Sequence, residues 1–357
     1  MKGWGLVAKI YGREYTKREL MKRVGDISQL AGARRCTLES GKAKGVAAVE
    51  VKTGSGLNFT VLPDRGMDIA WADYKGIALG YISKTGVVAP AFYDSNGLEF
   101  LRSFCGGLLT TCGLTYMGAP CVDEGKPLGL HGRASNLPAE DVCVSNEWVG
   151  DDFIIRIKGR IREAVVFGEN MVLSREITAR LGESKLTIKD TIENCGFKAE
   201  PLMLLYHFNF GYPLLDSSTE LILPGNSTVK ARDAEAMKGM NECKVFADPV
   251  PGYAEQVFYH DSEPKDDGKV TATLFNKAIG NNGISLNLTF NKKQLPYFAE
   301  WKQIGEGDYV VGMEPATWYP EGRSEARNRG ELTFIEPGEI KNVELEINVC
   351  EGLLKDS

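Results

Sequence analysis

LMLLYHFNFGYPLL, residues 202–215, sets the fold class of this 357-residue chain. Its aromatic and branched residues end at a glycine and a proline, which is typical of a β-strand. Alternate side chains of a strand face opposite ways. One predicted face is apolar and holds Leu202, Leu204, Tyr206, Phe208 and Phe210. The other face turns polar at His207 and Asn209, so we predict a strand that presents His207 at the rim of a cleft. The ordinary alternative is a core histidine bonded to a backbone carbonyl.

The composition favours a protein that binds a small molecule. The net charge is −6 and there is no dense basic run, which argues against nucleic acid or an anionic membrane as a partner. The first residues lack the apolar run of a signal peptide, and no stretch of 18 apolar residues occurs. We therefore expect a cytoplasmic protein with a neutral or weakly anionic ligand. The sequence does not fix the number of subunits, so a homo-oligomer stays open.

The eight cysteines, at positions 36, 105, 112, 121, 143, 195, 243 and 350, show no CxxC spacing. In a reducing compartment this scatter favours free thiols. We expect neither disulfides nor zinc, and no cofactor.

Residues 13–32 carry the one clear helical pattern. Thr16 can cap the helix, and Glu19 lies three residues on as a capping-box partner. The apolar stripe that follows consists of Leu20, Val24, Ile27 and Leu30. We predict a helical extension over residues 1–34 and a single domain over residues 35–357.

After this segment the apolar residues recur at every second position, which is typical of strands. The alternating segments are residues 46–51, 57–62, 153–162, 186–192, 284–290 and 343–349. Glycine-rich turns separate them, so we predict an all-β fold, a large antiparallel sandwich. Residues 81–128 are less regular and can form a covering insertion beside the cleft.

Two turn-like segments carry candidate binding residues. In GLHGRASN, residues 129–136, glycines flank His131 and let the backbone approach a ligand, while Arg133 adds a planar five-donor group. In LPDRGMDIAW, residues 62–71, Arg65 lies between two acids. It can hold the turn as an ion pair or clamp vicinal hydroxyls. An ordinary surface turn is the alternative for the first segment.

The segment DYVVGMEPATWYPEGR, residues 308–323, supplies a candidate carboxylate. Glu314 lies on one face of a predicted strand, and we expect Pro315 to end the strand pairing directly after it. The ordinary alternative is a solvated rim residue. Trp318 offers an aromatic surface for the C–H face of a sugar.

The segments LPDRGMD, GLHGR, YHFNFGYPLL and GMEPAT follow one another at wide separations. In these segments the chain resembles the galactose mutarotase (aldose 1-epimerase) superfamily, and more closely a group of bacterial aldose-1-epimerase-like proteins of unassigned substrate. The resemblance covers most of residues 35–350. It implies a large β-supersandwich with a sugar cleft on one sheet.

The resemblance also implies roles for individual residues. His207 matches the family's general acid and Glu314 its general base, while His131 and Arg65 match sugar-binding residues. Asn209 and Trp318 complete the candidate sugar-binding set. The family follows its HG motif with another glycine, where this chain has Arg133. Arg133 and Arg323 suit an anionic sugar, unless each pairs with a neighbouring acid.

The implied reaction is anomer exchange, which makes the chain an isomerase acting on carbohydrates. A base removes the proton of the C1 hydroxyl while an acid protonates the ring oxygen, and the opened sugar recloses on its other face. We expect Glu314 and His207 to act from opposite sides of the ring, without a metal or organic cofactor.

Three other functions stay open. The chain can be a sugar-binding or regulatory protein without turnover. It can be a carbon epimerase or aldose–ketose isomerase with a divalent metal held by His131, His207 and Glu314, although no HxH or HExxH spacing occurs. A glycosidase needs a second carboxylate, which the sequence does not identify.

Overall fold

Two antiparallel sheets dominate the chain in the computed structural model, which describes residues 8–353. The outer parts of the predicted segments 1–34 and 35–357, residues 1–7 and 354–357, lie outside the described residues. No helix in the described range is long and apolar enough to cross a membrane. All eight cysteines are free.

The strands of the first half are Ala8–Ile10 (β1), Arg13–Tyr15 (β2), Gly32–Thr37 (β3), Ala47–Lys52 (β4), Leu57–Leu62 (β5), Asp68–Tyr74 (β6), Ile77–Ala78 (β7), Tyr81–Ile82 (β8), Gly106–Gly107 (β9), Leu109–Cys112 (β10), Cys121–Asp123 (β11), Lys126–Leu128 (β12), Glu140–Val149 (β13), Asp152–Ala164 (β14) and Asn170–Arg180 (β15). The strands of the second half are Lys185–Asn194 (β16), Glu200–Pro201 (β17), Leu205–Gly211 (β18), Thr219–Ile222 (β19), Thr228–Ala231 (β20), Gln256–Asp261 (β21), Lys269–Asn276 (β22), Ile284–Asn291 (β23), Tyr297–Gly305 (β24), Asp308–Ala316 (β25), Phe334–Ile335 (β26) and Ile340–Glu351 (β27).

Helices are short. The α-helices are Lys17–Met21 (α1), Ala234–Lys238 (α2) and Arg323–Asn328 (α3), and the 3-10 helices are Ile27–Gln29, Gly41–Ala43, Pro90–Phe92, Glu99–Arg102, Ala134–Asn136 and Met240–Glu242.

We call the larger sheet the front sheet. Its strand order is β20-β21-β24-β25-β18-β10-β6-β5-β4-β3, and β7 pairs with β6 as its eleventh strand. The back sheet has eight strands in the order β13-β14-β15-β16-β27-β23-β22-β19. Side chains of both sheets meet in one apolar core, including Phe59 and Phe208 of the front sheet and Leu173 and Leu345 of the back sheet. The predicted all-β antiparallel supersandwich is therefore confirmed.

The strand that carries His207 has the predicted division of faces. The five residues predicted to share the apolar face all lie in the core between the sheets. Pairing in the front sheet covers only Leu205–Gly211 of the predicted stretch 202–215. Met203 and Leu205 pack in a second apolar cluster on the outer face, so the period of two places His207 on that outer face as well.

The predicted helix over residues 13–32 is wrong in its extent. The predicted capping box is present: the Thr16 side chain accepts from the Glu19 N–H at 3.2 Å, and the Glu19 carboxylate accepts from the Thr16 N–H at 2.9 Å. Helix α1 nevertheless ends at Met21. Asp26 then accepts from the Ser28 N–H at 2.8 Å and starts a separate 3-10 turn. This local side-chain bond competes with continuation of the helix.

The predicted end of pairing at Pro315 is also wrong. Strand β25 runs through Pro315 to Ala316 and pairs along that length with β24. Against β18 the ladder joins Ala316 to Leu205 and then Met313 to Phe208, and it is interrupted between these pairs. Because proline has no N–H to donate, the backbone bond is lost on one side of β25 only.

A buried arginine ties the two sheets together. Arg175 of β15 in the back sheet donates to both carboxylate oxygens of Asp190, at 2.9 and 2.6 Å. It also contacts Asp68 of β6 in the front sheet at 3.1 Å. The hydroxyl of Tyr206, in β18, donates to Asp190 at 2.7 Å. Strand β18 is thus anchored to the back sheet by the residue next to His207.

Candidate active site

His207 and Glu314 face each other across neighbouring strands of the front sheet. The register of β18 against β25 sets the two residues opposite one another. Nε2 of His207 lies 3.2 Å from Oε1 of Glu314, and both side chains are buried. The two groups therefore lie side by side, rather than far enough apart to flank a sugar ring from opposite sides.

His131 adds a second imidazole, with its ring centroid 5.6 Å from that of His207. Its backbone φ of 60° is left-handed, which costs a non-glycine residue roughly 1–2 kcal/mol. Two backbone bonds hold it: the His131 N–H donates to the Gly118 carbonyl at 3.0 Å, and its own carbonyl accepts from the Gly113 N–H at 3.1 Å. A Cβ on Gly132 would lie 2.5 Å from the Gly113 carbonyl oxygen. This glycine thus lets backbone approach backbone.

The three side chains open into a cavity of about 410 Å³. Small-molecule sites span about 300–1,000 Å³ and combine an apolar lining with a few polar groups. The apolar part of the lining comes from Leu98, Phe100, Leu101, Phe104, Gly118, Ala119, Pro120, Leu130, Val257, Trp301 and Pro320. The polar part comes from His131, His207, Arg232, Glu255 and Glu314. Many lining residues belong to the irregular segment 81–128, which covers the cavity in agreement with the sequence analysis.

Aromatic rings enclose the two imidazoles. The ring centroids of Trp301 and Phe104 lie 5.3 and 5.4 Å from that of His207. Phe100 lies 5.4 Å from His131. These rings cover part of the imidazole surfaces, and they offer apolar faces against which a sugar can pack its C–H groups.

This enclosure shifts the protonation of the site. Burial, and secondarily the Glu255 carboxylate, raises the pKa of Glu314 from 4.5 to about 8, against a smaller opposing effect of Arg232. Burial lowers the pKa of His131 to about 4. Burial and then His131 hold the pKa of His207 well below its ordinary value. Near neutral pH the pair therefore carries one proton, on Glu314, beside two neutral imidazoles.

Three buried polar atoms of these side chains make no hydrogen bond to any residue in the described range: Nδ1 of His131, Nδ1 of His207 and Oε1 of Glu314. The 3.2 Å contact of Oε1 with Nε2 of His207 is within reach of a hydrogen bond but is not aligned as one. Buried polar atoms in proteins are nearly always hydrogen-bonded. Their clustering in one cavity favours a site where the hydroxyl groups of a ligand supply the bonds.

Arg232 and Glu255 form a paired group at the cavity. The guanidinium of Arg232 contacts Asp233 at 2.7 Å and Glu255 at 3.1 Å. The indole N–H of Trp301 donates to the second oxygen of Glu255 at 2.8 Å. Two acids thus neutralise this arginine, and both oxygens of Glu255 are engaged.

Gly312 provides the space that the pair occupies. It precedes Glu314 by two residues on β25 and shares its face. A Cβ at this position would lie 2.6 Å from Oε1 of Glu314, 3.1 Å from Cβ of Trp301 and 3.2 Å from Cε1 of His207. Any side chain here would therefore move the carboxyl group.

Arg65, expected to bind substrate, does not line the cavity. Its buried guanidinium donates to the carbonyl oxygens of Val88 at 2.6 Å and Ser103 at 2.9 Å. Ser103 precedes Phe104, so Arg65 holds the segment that carries a wall of the cavity.

Asn209 likewise bonds to backbone. Its amide donates to the carbonyl oxygens of Gly107 at 3.1 Å and His207 at 2.9 Å. Because its side chain fixes the backbone of the candidate acid, Asn209 is placed to position His207.

The remaining predicted residues, Arg133, Trp318 and Arg323, do not line the cavity. Arg133 is exposed. Trp318 is buried, and its indole donates to Glu331 at 2.9 Å. Arg323 is buried and pairs with Asp123 at 2.7 Å, which is the alternative that the sequence left open for it.

The structure thus brings together three of the eight predicted site residues, His131, His207 and Glu314. It adds Trp301, Arg232 and Glu255, which the sequence analysis missed. In YFAEW, residues 297–301, both faces of the strand carry apolar residues, and the single charged residue, Glu300, shares its face with Phe298, so the alternation that would indicate a strand is weak. His260 lies on the opposite face of the front sheet, where Nε2 contacts Glu300 at 2.8 Å.

Within residues 8–353, no group of three or more His, Cys, Asp or Glu side chains is arranged to hold a metal ion. The set proposed for a metal in the alternative function, His131, His207 and Glu314, does not form such a group.

Comparisons with known proteins agree with this fold. The family model described as a domain of unknown function, DUF4432, matches residues 43–349. A solved structure of a candidate aldose 1-epimerase from Klebsiella pneumoniae is 26% identical, with a TM-score of 0.84 over 91% of this chain and 86% of that one. A search of curated proteins finds no match.

More distant structures show the same fold. A galactose mutarotase-like protein from Clostridium acetobutylicum is 13% identical, with a TM-score of 0.64 over 90% of this chain and 99% of that one. Galactose 1-epimerase from Lactobacillus acidophilus is 13% identical, with a TM-score of 0.57 over 90% of this chain and 100% of that one. The resemblance found in the sequence is therefore confirmed at the level of the fold.

Proposed function

The chain belongs to the DUF4432 family of unknown function, and we propose that it is an aldose 1-epimerase-like isomerase that exchanges the α and β anomers of a neutral aldose. The observation that carries this proposal is the His207–Glu314 pair, 3.2 Å apart and facing one cavity. The similarity in fold to proteins named as aldose 1-epimerases adds support.

Side-by-side placement suits the reaction, because O1 and O5 of an aldose are bonded to the same carbon. The Glu314 carboxylate takes the proton of O1 while the His207 imidazolium gives its proton to O5, and the C1–O5 bond breaks. After rotation about C1–C2, both protons return and the ring closes on the other face. Each such transfer contributes on the order of 10² to 10⁴ in rate.

The proton count of the resting pair is compatible with this cycle. Neutral His207 beside protonated Glu314 holds one proton, and so does the reactive pair of imidazolium and carboxylate. Substrate hydroxyl groups that donate to Glu314 favour its ionised form. Binding of the sugar can therefore shift the proton to His207 without exchange with solvent.

The charges around the cavity favour a neutral sugar. Arg232 is already paired with Asp233 and Glu255, and Glu314 and Glu255 would repel an anion when ionised. The arginines expected to bind an anionic sugar, Arg133 and Arg323, do not line the cavity.

One observation favours a second candidate, glycoside hydrolysis: Glu255 supplies the second carboxylate in the cavity. We rank it below anomer exchange because both oxygens of Glu255 are bonded to Arg232 and Trp301, whereas His207 is in direct contact with Glu314.

The test is an NMR screen that measures saturation transfer between anomeric protons with purified protein. The panel contains glucose, galactose, mannose and xylose, with galacturonate and glucose 6-phosphate as anionic members. We expect exchange of at least one neutral aldose to accelerate in proportion to protein concentration. Binding without acceleration would favour a sugar-binding protein, and deuterium incorporation at carbon would favour a carbon epimerase.

A further inference from the structure

A second cavity, of about 820 Å³, adjoins the first. The two share part of their walls, since Leu98, Leu101, Phe104, Glu255 and Trp301 line both. Trp301 and Glu255 are joined by the indole hydrogen bond at 2.8 Å. The two cavities are thus neighbouring compartments of one cleft.

The strand register gives the direction of the second cavity. On β24, Ala299 pairs with Glu314, Trp301 with Gly312 and Gln303 with Val310. Residues two apart share a face and lie about 7 Å apart along a strand. Gln303, which lines the second cavity, therefore lies one step beyond Trp301 on the face that carries Glu314. The cleft runs along the strands, away from the catalytic pair.

Polar and apolar side chains both line the second cavity. Tyr81 contributes a hydroxyl group that donates to Asp308, and Ser83 and Thr85 contribute hydroxyl groups that donate to the Phe104 carbonyl. These hydroxyl oxygens can still accept from a ligand, and Gln303 adds an amide. The side-chain oxygen Oε1 of Gln303 is buried and makes no hydrogen bond within the described part of the chain. Among the cations of the lining, Lys84 is paired with Asp308 at 2.7 Å and Arg102 with Glu99 at 2.5 Å. The lining also contains Lys42 and Glu255, so its cations and its acids are equal in number. Such a lining matches an uncharged polyol better than an anion.

We propose that the second cavity is a subsite for a second sugar unit, so that the preferred substrate is a reducing disaccharide. This inference rests on the proposed function. Anomer exchange needs a free C1 hydroxyl, so the reducing unit occupies the first cavity beside His207 and Glu314. The second unit is attached through another hydroxyl of the reducing unit and extends past Trp301 to Gln303. Binding energy gained there raises kcat/KM if it is used to place the reducing unit.

The experiment compares kcat/KM for lactose, maltose, cellobiose and melibiose with kcat/KM for glucose. All four disaccharides have glucose at the reducing end, so only the second unit and its linkage differ. We expect at least one disaccharide to exceed glucose by about tenfold or more. The inference is overturned if glucose exchanges rapidly and every disaccharide has a lower kcat/KM than glucose.

Substitutions at Gln303 test whether the second cavity is the cause of a preference for disaccharides. Gln303→Trp places an indole in the second cavity and should reduce the disaccharide-to-glucose ratio of kcat/KM to about one or below. Gln303→Ala leaves the space open and removes one hydrogen bond, so it should lower the ratio less than Gln303→Trp does. Gln29→Trp is a matched control, because Gln29 is exposed on a 3-10 helix outside both cavities. An unchanged ratio in a folded Gln303→Trp protein would overturn the assignment of this cavity.

A binding experiment distinguishes failure of this inference from failure of the proposed function. Calorimetric titration with the same sugars needs no turnover. Suppose that no sugar exchanges its anomers, but a disaccharide binds more tightly than glucose and binds no more tightly than glucose in Gln303→Trp. This result would support the subsite and contradict the isomerase function. If disaccharides bind no more tightly than glucose, the subsite falls.

Discussion

Nε2 of His207 lies 3.2 Å from Oε1 of Glu314, across two adjacent antiparallel strands whose register sets the residues opposite each other. A one-residue slip between these strands would move one of the two side chains to the core face. The geometry of the pair is therefore a property of the sheet, and it should tolerate substitutions that leave the register intact.

Loss of either member of the pair should remove most anomer exchange. We expect His207→Gln and Glu314→Gln each to lower kcat/KM by about 10² to 10⁴, because each removes one proton transfer. Rates follow from NMR or polarimetry, with folding checked by circular dichroism. Glu306→Gln, in the exposed turn between β24 and β25, is the matched control and should have no effect. Full activity in both folded variants would contradict the assigned roles.

The pH dependence of kcat/KM should be bell-shaped. The pair titrates as a unit and is active while it holds one proton. Above about pH 8, the pKa of Glu314, that proton is lost and O5 cannot be protonated. The acid limb lies below 6.5, because burial lowers the pKa of His207, and there a second proton leaves no base. A profile measured from pH 4 to 10 that peaks below pH 5 would contradict this assignment.

A methyl group at position 312 should impair turnover. In Gly312→Ala the new Cβ would lie 2.6 Å from Oε1 of Glu314, so the carboxyl must move. Displacements of about 1 Å cost on the order of 10²-fold in rate, and we expect kcat to fall more than KM rises. Gly225→Ala is the control, because its Cβ would meet nothing within 4 Å. Unchanged kcat in Gly312→Ala would show that the site tolerates the shift.

Glu255→Gln separates the two candidate reactions. For anomer exchange, Glu255 only holds Arg232 and Trp301, so the variant should retain activity within about tenfold. For glycoside hydrolysis, the second carboxylate is essential and its loss should abolish turnover of nitrophenyl glycosides. Hydrolysis by the unmodified protein, absent in Glu255→Gln, would reverse our ranking.

The buried carboxyl of Glu314 should make stability fall with rising pH. Its pKa is about 8 in the folded protein and 4.5 ordinarily, so between these values the folded state keeps a proton that the unfolded state has lost. The contribution is full below about pH 4.5 and is lost as pH rises through 8. Glu314→Gln should therefore gain on the order of a few kcal/mol relative to the unmodified protein at about pH 9, with little gain at about pH 5. Denaturant unfolding measures both values, and an equal difference at the two pH values would contradict the shifted pKa.

The fold could be predicted where one face of a strand meets the core and the other meets solvent. Residues 57–62 form a strand with the predicted limits, because alternating burial leaves a period of two in the sequence. The helix over residues 13–32 could not be predicted in its extent, since the cap at Asp26 competes with the apolar stripe. The prediction at Pro315 was wrong for a different reason. A central strand can lose one backbone hydrogen bond to the neighbour on one side and keep its pairing with the neighbour on the other side.

The candidate site was predictable only in part. His131, His207 and Glu314 are in segments with recognisable neighbours, and the structure brings them into one cavity. Arg65 and Arg323 are charged residues in turn-like sequences too, yet both bond to buried protein groups. Arg232, Glu255 and Trp301 come from separate elements with no distinctive pattern, and only tertiary packing places them together.

The contact of Tyr206 with Asp190, and through Asp190 with Arg175, has an effect on how variation in this family should be interpreted. Neighbouring residues of β18 point in opposite directions: Tyr206 contacts the ion pair of Asp190 and Arg175, and His207 faces the cavity. A screen for lost turnover should therefore recover substitutions at Arg175 and Asp190, deep beneath the cleft and without access to any ligand. These substitutions would lower the rate by changing the orientation of the His207 imidazole. They would be mistaken for substitutions of catalytic residues unless sugar affinity and thermal denaturation were measured together with the rate.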